Sequence, residues 1–185
     1  MKNALILHGT KGSSTGNWFQ WLKGKLEEKG YTVWVPDLPG AEAPNVKRYN
    51  EFLLSGDFVF NEETLVIGHS SGAVEILGLL QALPKTTKIR AAILVGAFMD
   101  NLGEENLNGL FEEPFDFETI ETHADKFIFI HSDDDPFCPV EGAKYLADML
   151  DAEFILKSGQ KHFSVGTAGD AYKEFPLLLE VIEKL

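Results

Sequence analysis

The chain has a single cysteine, Cys138, among 185 residues. No disulfide can close within it, and no CxxC or Cys/His run has the spacing that holds zinc. Basic residues are scarce: 16 Lys and Arg stand against 29 Asp and Glu, for a net charge of −13. Nucleic acid needs a basic footprint, so it is not expected as a partner, and anionic membrane surfaces are disfavoured for the same reason. No apolar run nears the roughly 20 residues of a membrane span. The opening stretch Met1 to His8 is too short an apolar run for a secretory signal, so a cytoplasmic location is the expectation. GxGxxG is missing, and no Gly-Lys-Ser/Thr closes the Gly9–Gly16 loop. That loop is therefore not read as a phosphate cradle, and no cofactor is expected. Repeats, low-complexity tracts and linkers are also missing. The length suits one domain, residues 1–185.

What is present is an alternation of short apolar runs with longer amphipathic ones. Strands are expected at Ala4–His8, Tyr31–Val35, Leu65–Ile67, Ala91–Val95, Lys126–His131 and Glu153–Lys157. Helices are expected at Asn17–Lys29, Asn45–Leu54, Gly72–Ala82, Val140–Leu150 and Ala171–Leu185. Buried parallel strands read as unbroken apolar runs, as Ala91-Ala92-Ile93-Leu94-Val95 does. The pattern predicts an α/β fold: a mostly parallel sheet of about six strands with helices on both faces. Gly96 to Thr119 breaks the rhythm. It is acidic and carries Phe98, Phe111, Phe115 and Phe117. Such a segment is either a lid or binding loop, or an excursion whose phenylalanines fill the core.

Gly68-His69-Ser70-Ser71-Gly72 lies between an expected strand and an expected helix. In that setting Gly-x-Ser-x-Gly forms a strained turn that pushes the serine hydroxyl outward. A serine hydroxyl is a poor nucleophile without a base, and the base needs an orienting carboxylate. In chain order the acid follows the serine and the histidine comes last, each just past a strand. Ser132-Asp133-Asp134-Asp135-Pro136-Phe137 and Ser158-Gly159-Gln160-Lys161-His162-Phe163 occupy those two places. Asp135 is favoured as the acid because Pro136 fixes the backbone that aims it, with Asp134 second. A magnesium site at the aspartates would need more converging oxygens than the run offers, so no metal is expected. His162 is the expected base. His69 adjoins the serine too closely to meet its hydroxyl, and His8 is expected to shape the loop after the first strand. Backbone N–H groups of Ser71 and Thr10 are the expected donors to an oxyanion. Trp18, Trp21, Phe137 and Phe163 are candidates for an apolar acyl pocket, or else for core.

His8-Gly9, Ser14-Thr15-Gly16-Asn17-Trp18-Phe19-Gln20-Trp21-Leu22, the serine turn, Asn101-Leu102-Gly103-Glu104-Glu105-Asn106, Ser132 to Phe137 and His162-Phe163 together resemble one family. It is that of the small serine hydrolases related to retinoblastoma-binding protein nine and the bacterial YdeN-like proteins. The resemblance implies a minimal three-layer α/β-hydrolase fold without a large cap domain. It also implies a triad carried on Ser70, Asp135 and His162. The Leu-x-Cys-x-Glu motif of retinoblastoma binding is not matched, since Cys138 is followed by Pro139-Val140-Glu141. No such binding is expected. The expected activity is hydrolysis of small carboxylic esters or related acyl substrates through an acyl-enzyme. The competing reading is a hydrolase-fold protein that serves only as an interaction module.

Overall fold

A computed structural model describes residues 1–185. The chain forms β1 (Asn3–Leu7), α1 (Phe19–Glu28), β2 (Thr32–Trp34), α2 (Val46–Leu54), β3 (Thr64–His69) and α3 (Ser71–Ala82). It continues through β4 (Ala91–Val95), α4 (Phe117–Thr122), β5 (Phe127–Ser132), α5 (Val140–Met149), β6 (Glu153–Lys157), α6 (Val165–Ala168) and α7 (Pro176–Ile182). Six strands make one sheet in the order β2-β1-β3-β4-β5-β6, and every neighbouring pair is parallel. The expectation of a mostly parallel sheet thus becomes a wholly parallel one, with no large cap.

Alternation along the strands sorts side chains into two cores. Ala4 and Ile6 of β1, Leu65 and Ile67 of β3, and Ile128 and Ile130 of β5 face α1 and α7. Leu5 and Leu7, Val66, and Phe127 and Phe129 face α2, α3, α4 and α5. Both faces of the central strands are therefore covered, which is why β1, β3 and β4 read as continuous apolar runs. Burying each such leucine, isoleucine or phenylalanine is worth about 1.5–3 kcal/mol before the cost of ordering it. The chain runs outward from β1 to β2, then returns past β1 to β3. At that reversal a crevice opens beyond the carboxyl ends of β1 and β3, the usual ligand site of an open parallel sheet.

Three expectations about the elements change. α1 starts at Phe19 rather than Asn17, because Asn17 adopts φ 44° and its side chain accepts the Val165 N–H at 3.0 Å. The single helix expected over 171–185 is broken. A 3-10 turn over Gly169–Lys173 ends before α7, and Pro176, which has no N–H and restricts Phe175, opens the new helix. Two short helices, α4 and α6, were not expected. Residues 96–119 hold a 3-10 turn, Glu105–Leu110, and the start of α4. Phe98, Leu107 and Leu110 are buried with Val74 and Cys138, while Phe111, Phe115 and Phe117 pack from outside. Phe98 is core that also reaches the cleft, and the other three are partly buried flanks that pin the excursion over α3. No helix is long and apolar enough to cross a membrane.

Candidate active site

β3 delivers Ser70 to the crevice on a turn whose tightness the two glycines permit. A Cβ on Gly68 would land on the backbone of Gly72 and Ala73, and one on Gly72 would sit 2.5 Å from the His8 carbonyl oxygen. Either would push α3 off the strand ends. Ser70 itself takes φ 57°, ψ −123°, a conformation that costs a non-glycine residue about 1–3 kcal/mol. The bond from its own N–H to the Val95 carbonyl (2.8 Å) and those of Ala73 and Val74 to its carbonyl hold it there.

Asp135 and His162 meet across the ends of β5 and β6. The His162 Nδ1–H donates to Asp135 Oδ2 at 2.6 Å. The other carboxylate oxygen, Oδ1, accepts the N–H groups of Phe137 (2.9 Å) and Cys138 (3.0 Å). Burial alone would raise the Asp135 pKa. The His162 bond and charge and the two backbone donors outweigh it, so the carboxyl is held below its usual value. Its neighbours have other tasks. Asp133 Oδ1 accepts the Gly159 N–H, and Asp134 Oδ1 accepts both the Ser132 hydroxyl and the Lys161 N–H. Lys161 Nζ adds an ion pair to Asp134 at 2.7 Å, and these bonds hold the Asp134 carboxyl at about 2. Two of the three aspartates therefore staple the loop after β5 to the loop that carries His162.

The His162 loop is strained, with Lys161 at φ 54° and Phe163 at φ 50°. Its shape is imposed from outside. His69 Nε2–H donates to the His162 carbonyl at 2.8 Å, and the two imidazole rings pack 4.8 Å apart. Burial drives His69 down to about 3, so it stays neutral and keeps the tautomer that can donate. Trp18 Nε1–H donates to the Phe163 carbonyl (3.1 Å), and the His162 N–H donates to Thr167 Oγ1 (3.2 Å). His8 does similar work on the opposite wall. It donates from Nδ1 to the Gly9 carbonyl and accepts the Leu38 N–H at Nε2, both at 2.9 Å, and burial lowers its pKa.

Ser70, His162, Thr10, Phe98, Leu107 and Phe137 line one cleft of about 590 Å³. Ser70 Oγ and the His162 ring share its walls without a direct hydrogen bond, a loose arrangement common before a substrate is bound. The Thr10 N–H is free of backbone partners, and the Ser71 N–H opens α3, where first-turn N–H groups have no intrahelical acceptor. Both are available to an anion, and the positive end of the α3 dipole adds to them. A larger groove of about 660 Å³ runs between α2, α3 and the excursion. It holds none of Ser70, Asp135 or His162, so the chemistry points to the smaller cleft.

The aromatic expectations divide. Phe137 is 58% exposed, sets its ring edge-on to His162 at 5.3 Å and lines the cleft. Trp18 and Phe163 are fully buried, and both pack against Phe175 in the α1/α7 core. As substrate contacts they are corrected: with no exposure, neither side chain can touch a bound molecule. Trp21 is half-buried against the same core. The excursion supplies the cleft's other apolar contacts: Phe98, already named on that segment, and Leu102 and Leu107, which sequence reasoning did not single out.

The serine hydrolase family pattern matches residues 4–183. The chain belongs to the serine hydrolase family. Serine hydrolase RBBP9 of Rattus norvegicus is 29% identical over 187 residues, covering 98% of this chain and 94% of that protein. The hydrolase YdeN of Bacillus subtilis is 28% identical over 182 residues, again with 98% and 94% covered. The crystal structure of the ydeN gene product superposes with a TM-score of 0.91 at 27% identity, across 100% of this chain and 98% of that one. The resemblance read from the sequence is thus to the right family.

The role of His69 can be tested within this family member. Leucine at 69 strands the His162 carbonyl, and a small displacement of a reacting group can cost about 10²-fold in turnover. His69→Leu is expected to lower kcat by roughly 10–100-fold. His69→Gln, which retains a side-chain N–H, is expected to recover most of that loss. Equal kcat values for the two variants would remove the His69–His162 bond from the account.

Proposed function

We propose that this serine hydrolase cleaves small carboxylic esters or related acyl substrates, with Ser70 as nucleophile, His162 as base and Asp135 as orienting acid. The observation that carries the reading is the 2.6 Å bond from His162 Nδ1–H to a buried Asp135 carboxylate, at the same rim as the strained Ser70. With the Nδ1 proton committed to Asp135, Nε2 is left as the lone-pair nitrogen that can take the serine proton. Ser70 Oγ then attacks the carbonyl carbon, and the oxyanion draws on the Thr10 and Ser71 N–H groups. The imidazolium returns its proton to the leaving alkoxide, an acyl-Ser70 remains, and a water activated by His162 releases the acid.

Phe98, Leu102, Leu107 and Phe137 give the acyl side of the cleft an apolar wall, which suits a short aliphatic or aromatic acyl group. A series of esters graded in acyl length would read its depth. No cofactor enters the scheme, because every proton and electron pair is handled by the three side chains. A fluorophosphonate probe is expected to label the wild type stoichiometrically and to leave Ser70→Ala unlabelled. Labelling of both would take Ser70 out of the nucleophile role. Labelling of neither would favour the interaction-module reading.

A further inference from the structure

Cys138 follows Asp135 by three residues in the loop after β5, and it faces the same cleft as His162. One donor atom from each of Asp135, Cys138 and His162 lies within 4.8 Å of the other two. A carboxylate oxygen, a sulfur and an imidazole nitrogen are the donor set of a zinc site that keeps one position open. No sequence spacing announces it, because His162 comes 24 residues after Cys138 on a different loop. We propose that Asp135, Cys138 and His162 form a binding site for a borderline-soft divalent cation, Zn²⁺ first among them, and that occupancy ties up the Asp135–His162 pair and stops hydrolysis.

The surroundings are those of a prepared site. Other contacts hold the three residues: the Cys138 carbonyl accepts from His131 Nε2–H (2.9 Å), the His162 carbonyl accepts from His69 Nε2–H, and the Asp135 side-chain Oδ1 accepts the Phe137 and Cys138 N–H groups. Rigid support of this kind is what orients metal ligands. A tetrahedral ion with bonds of roughly 2.0–2.3 Å spaces its donors by under 4 Å, so only a small inward shift of Cys138 Sγ and a slight opening of the Asp135–His162 pair are needed. Cys138 and His162 both line the cleft, which is the route in. Hard cations are disfavoured by the sulfur.

Binding must release protons. Burial pushes the Cys138 thiol up, so it is protonated at neutral pH, and its proton leaves when the metal–sulfur bond forms. If Nδ1 is the nitrogen that binds, the ring's single N–H moves to Nε2, which then has no lone pair to offer Ser70. The inhibitory half of the proposal rests on the hydrolase reading above, while the binding half does not.

The test uses Co²⁺ for spectroscopy and Zn²⁺ for inhibition. Wild-type protein titrated with Co²⁺ is expected to develop a thiolate-to-cobalt charge-transfer band in the near ultraviolet that saturates at one equivalent. Cys138→Ala removes the band, and His162→Ala weakens binding while keeping Cys138. Ester turnover is scored against each protein's own metal-free rate. Low-micromolar Zn²⁺ is expected to inhibit the wild type at least about tenfold, reversibly with EDTA, and Cys138→Ala much less. Circular dichroism checks that both variants fold. A missing band in the wild type overturns the site. So does equal Zn²⁺ inhibition of Cys138→Ala, which would put the ion on surface carboxylates. A clear band in a protein without ester turnover would keep the site and sink only the hydrolase reading.

Discussion

Asp135→Asn is expected to lower kcat by about 10³–10⁴-fold while Asp134→Asn, one residue away, lowers it less than about tenfold. The difference follows from what each carboxylate touches. Asp135 Oδ2 is the only acceptor on His162 Nδ1, at 2.6 Å. In the asparagine variant Oδ1 still satisfies the Phe137 and Cys138 N–H groups, which turns the amide NH₂ toward the ring. Nδ1 must then accept, the proton moves to Nε2, and the nitrogen facing Ser70 can no longer act as base. Asp134 holds Lys161 and the Ser132 hydroxyl, and its ion pair is partly exposed to solvent. Asparagine keeps an oxygen for the two neutral donors, so the His162 loop stays in place. Steady-state kinetics on one ester decide the matter. A larger loss for Asp134→Asn than for Asp135→Asn would reassign the acid.

That contrast also shows how far residues alone can carry the argument. The strand-helix alternation was legible because buried parallel strands must be apolar on both faces, as β3 and β4 are. The elbow was legible because its two glycines answer a steric demand that a strand-to-helix serine turn always makes. Asp135 could be preferred over its neighbours through Pro136, but what Asp133 and Asp134 do could not be read. Their partners, Gly159 and Lys161, lie 26 and 27 residues away. His69 was set aside as too close to Ser70, which is correct for the hydroxyl and silent about a bond reaching the carbonyl of a residue 93 positions on. Trp18 and Phe163 were misread for a related reason. Aromatics beside polar motif residues suggest a binding surface, and only the packing of α1 against α7 shows both rings turned inward. The break before α7 was written in the sequence as Pro176 and was passed over in favour of the apolar run that follows it.

Conformational stability is expected to peak near pH 6.5 and to fall on both sides, from two separate sets of buried groups. On the acid side stand His8, His69 and His131, all lowered from 6.5 chiefly by burial, His69 to about 3. Between those folded values and 6.5 the unfolded chain binds protons that the native chain refuses. Their stability contribution is complete above 6.5 and drains away as pH falls, by up to about 1.4 kcal/mol per pH unit for each group. Asp135 and Asp134, both lowered, join the loss below about pH 4. On the alkaline side stands Glu75, the one charged residue of α3. It is fully buried, neither carboxyl oxygen has a partner, and burial raises its pKa well above 4.5. The native chain keeps that proton while the unfolded chain loses it, so Glu75 favours unfolding increasingly as pH climbs past 4.5. The histidines oppose it below 6.5, it acts alone from 6.5 to about 8, and higher still the Cys138 thiol, also raised by burial, adds to the loss. Tyr49, whose hydroxyl burial pushes up to about 12, is its titratable neighbour and stays neutral throughout. Urea unfolding from pH 5 to 8 is expected to show both limbs in the wild type. Glu75→Gln, which has no proton to lose, is expected to retain the acid limb and flatten the alkaline one. A wild-type stability that is level from pH 6.5 to 8, or a decline over that range that survives in Glu75→Gln, would mean that the carboxyl reaches water or a partner in solution.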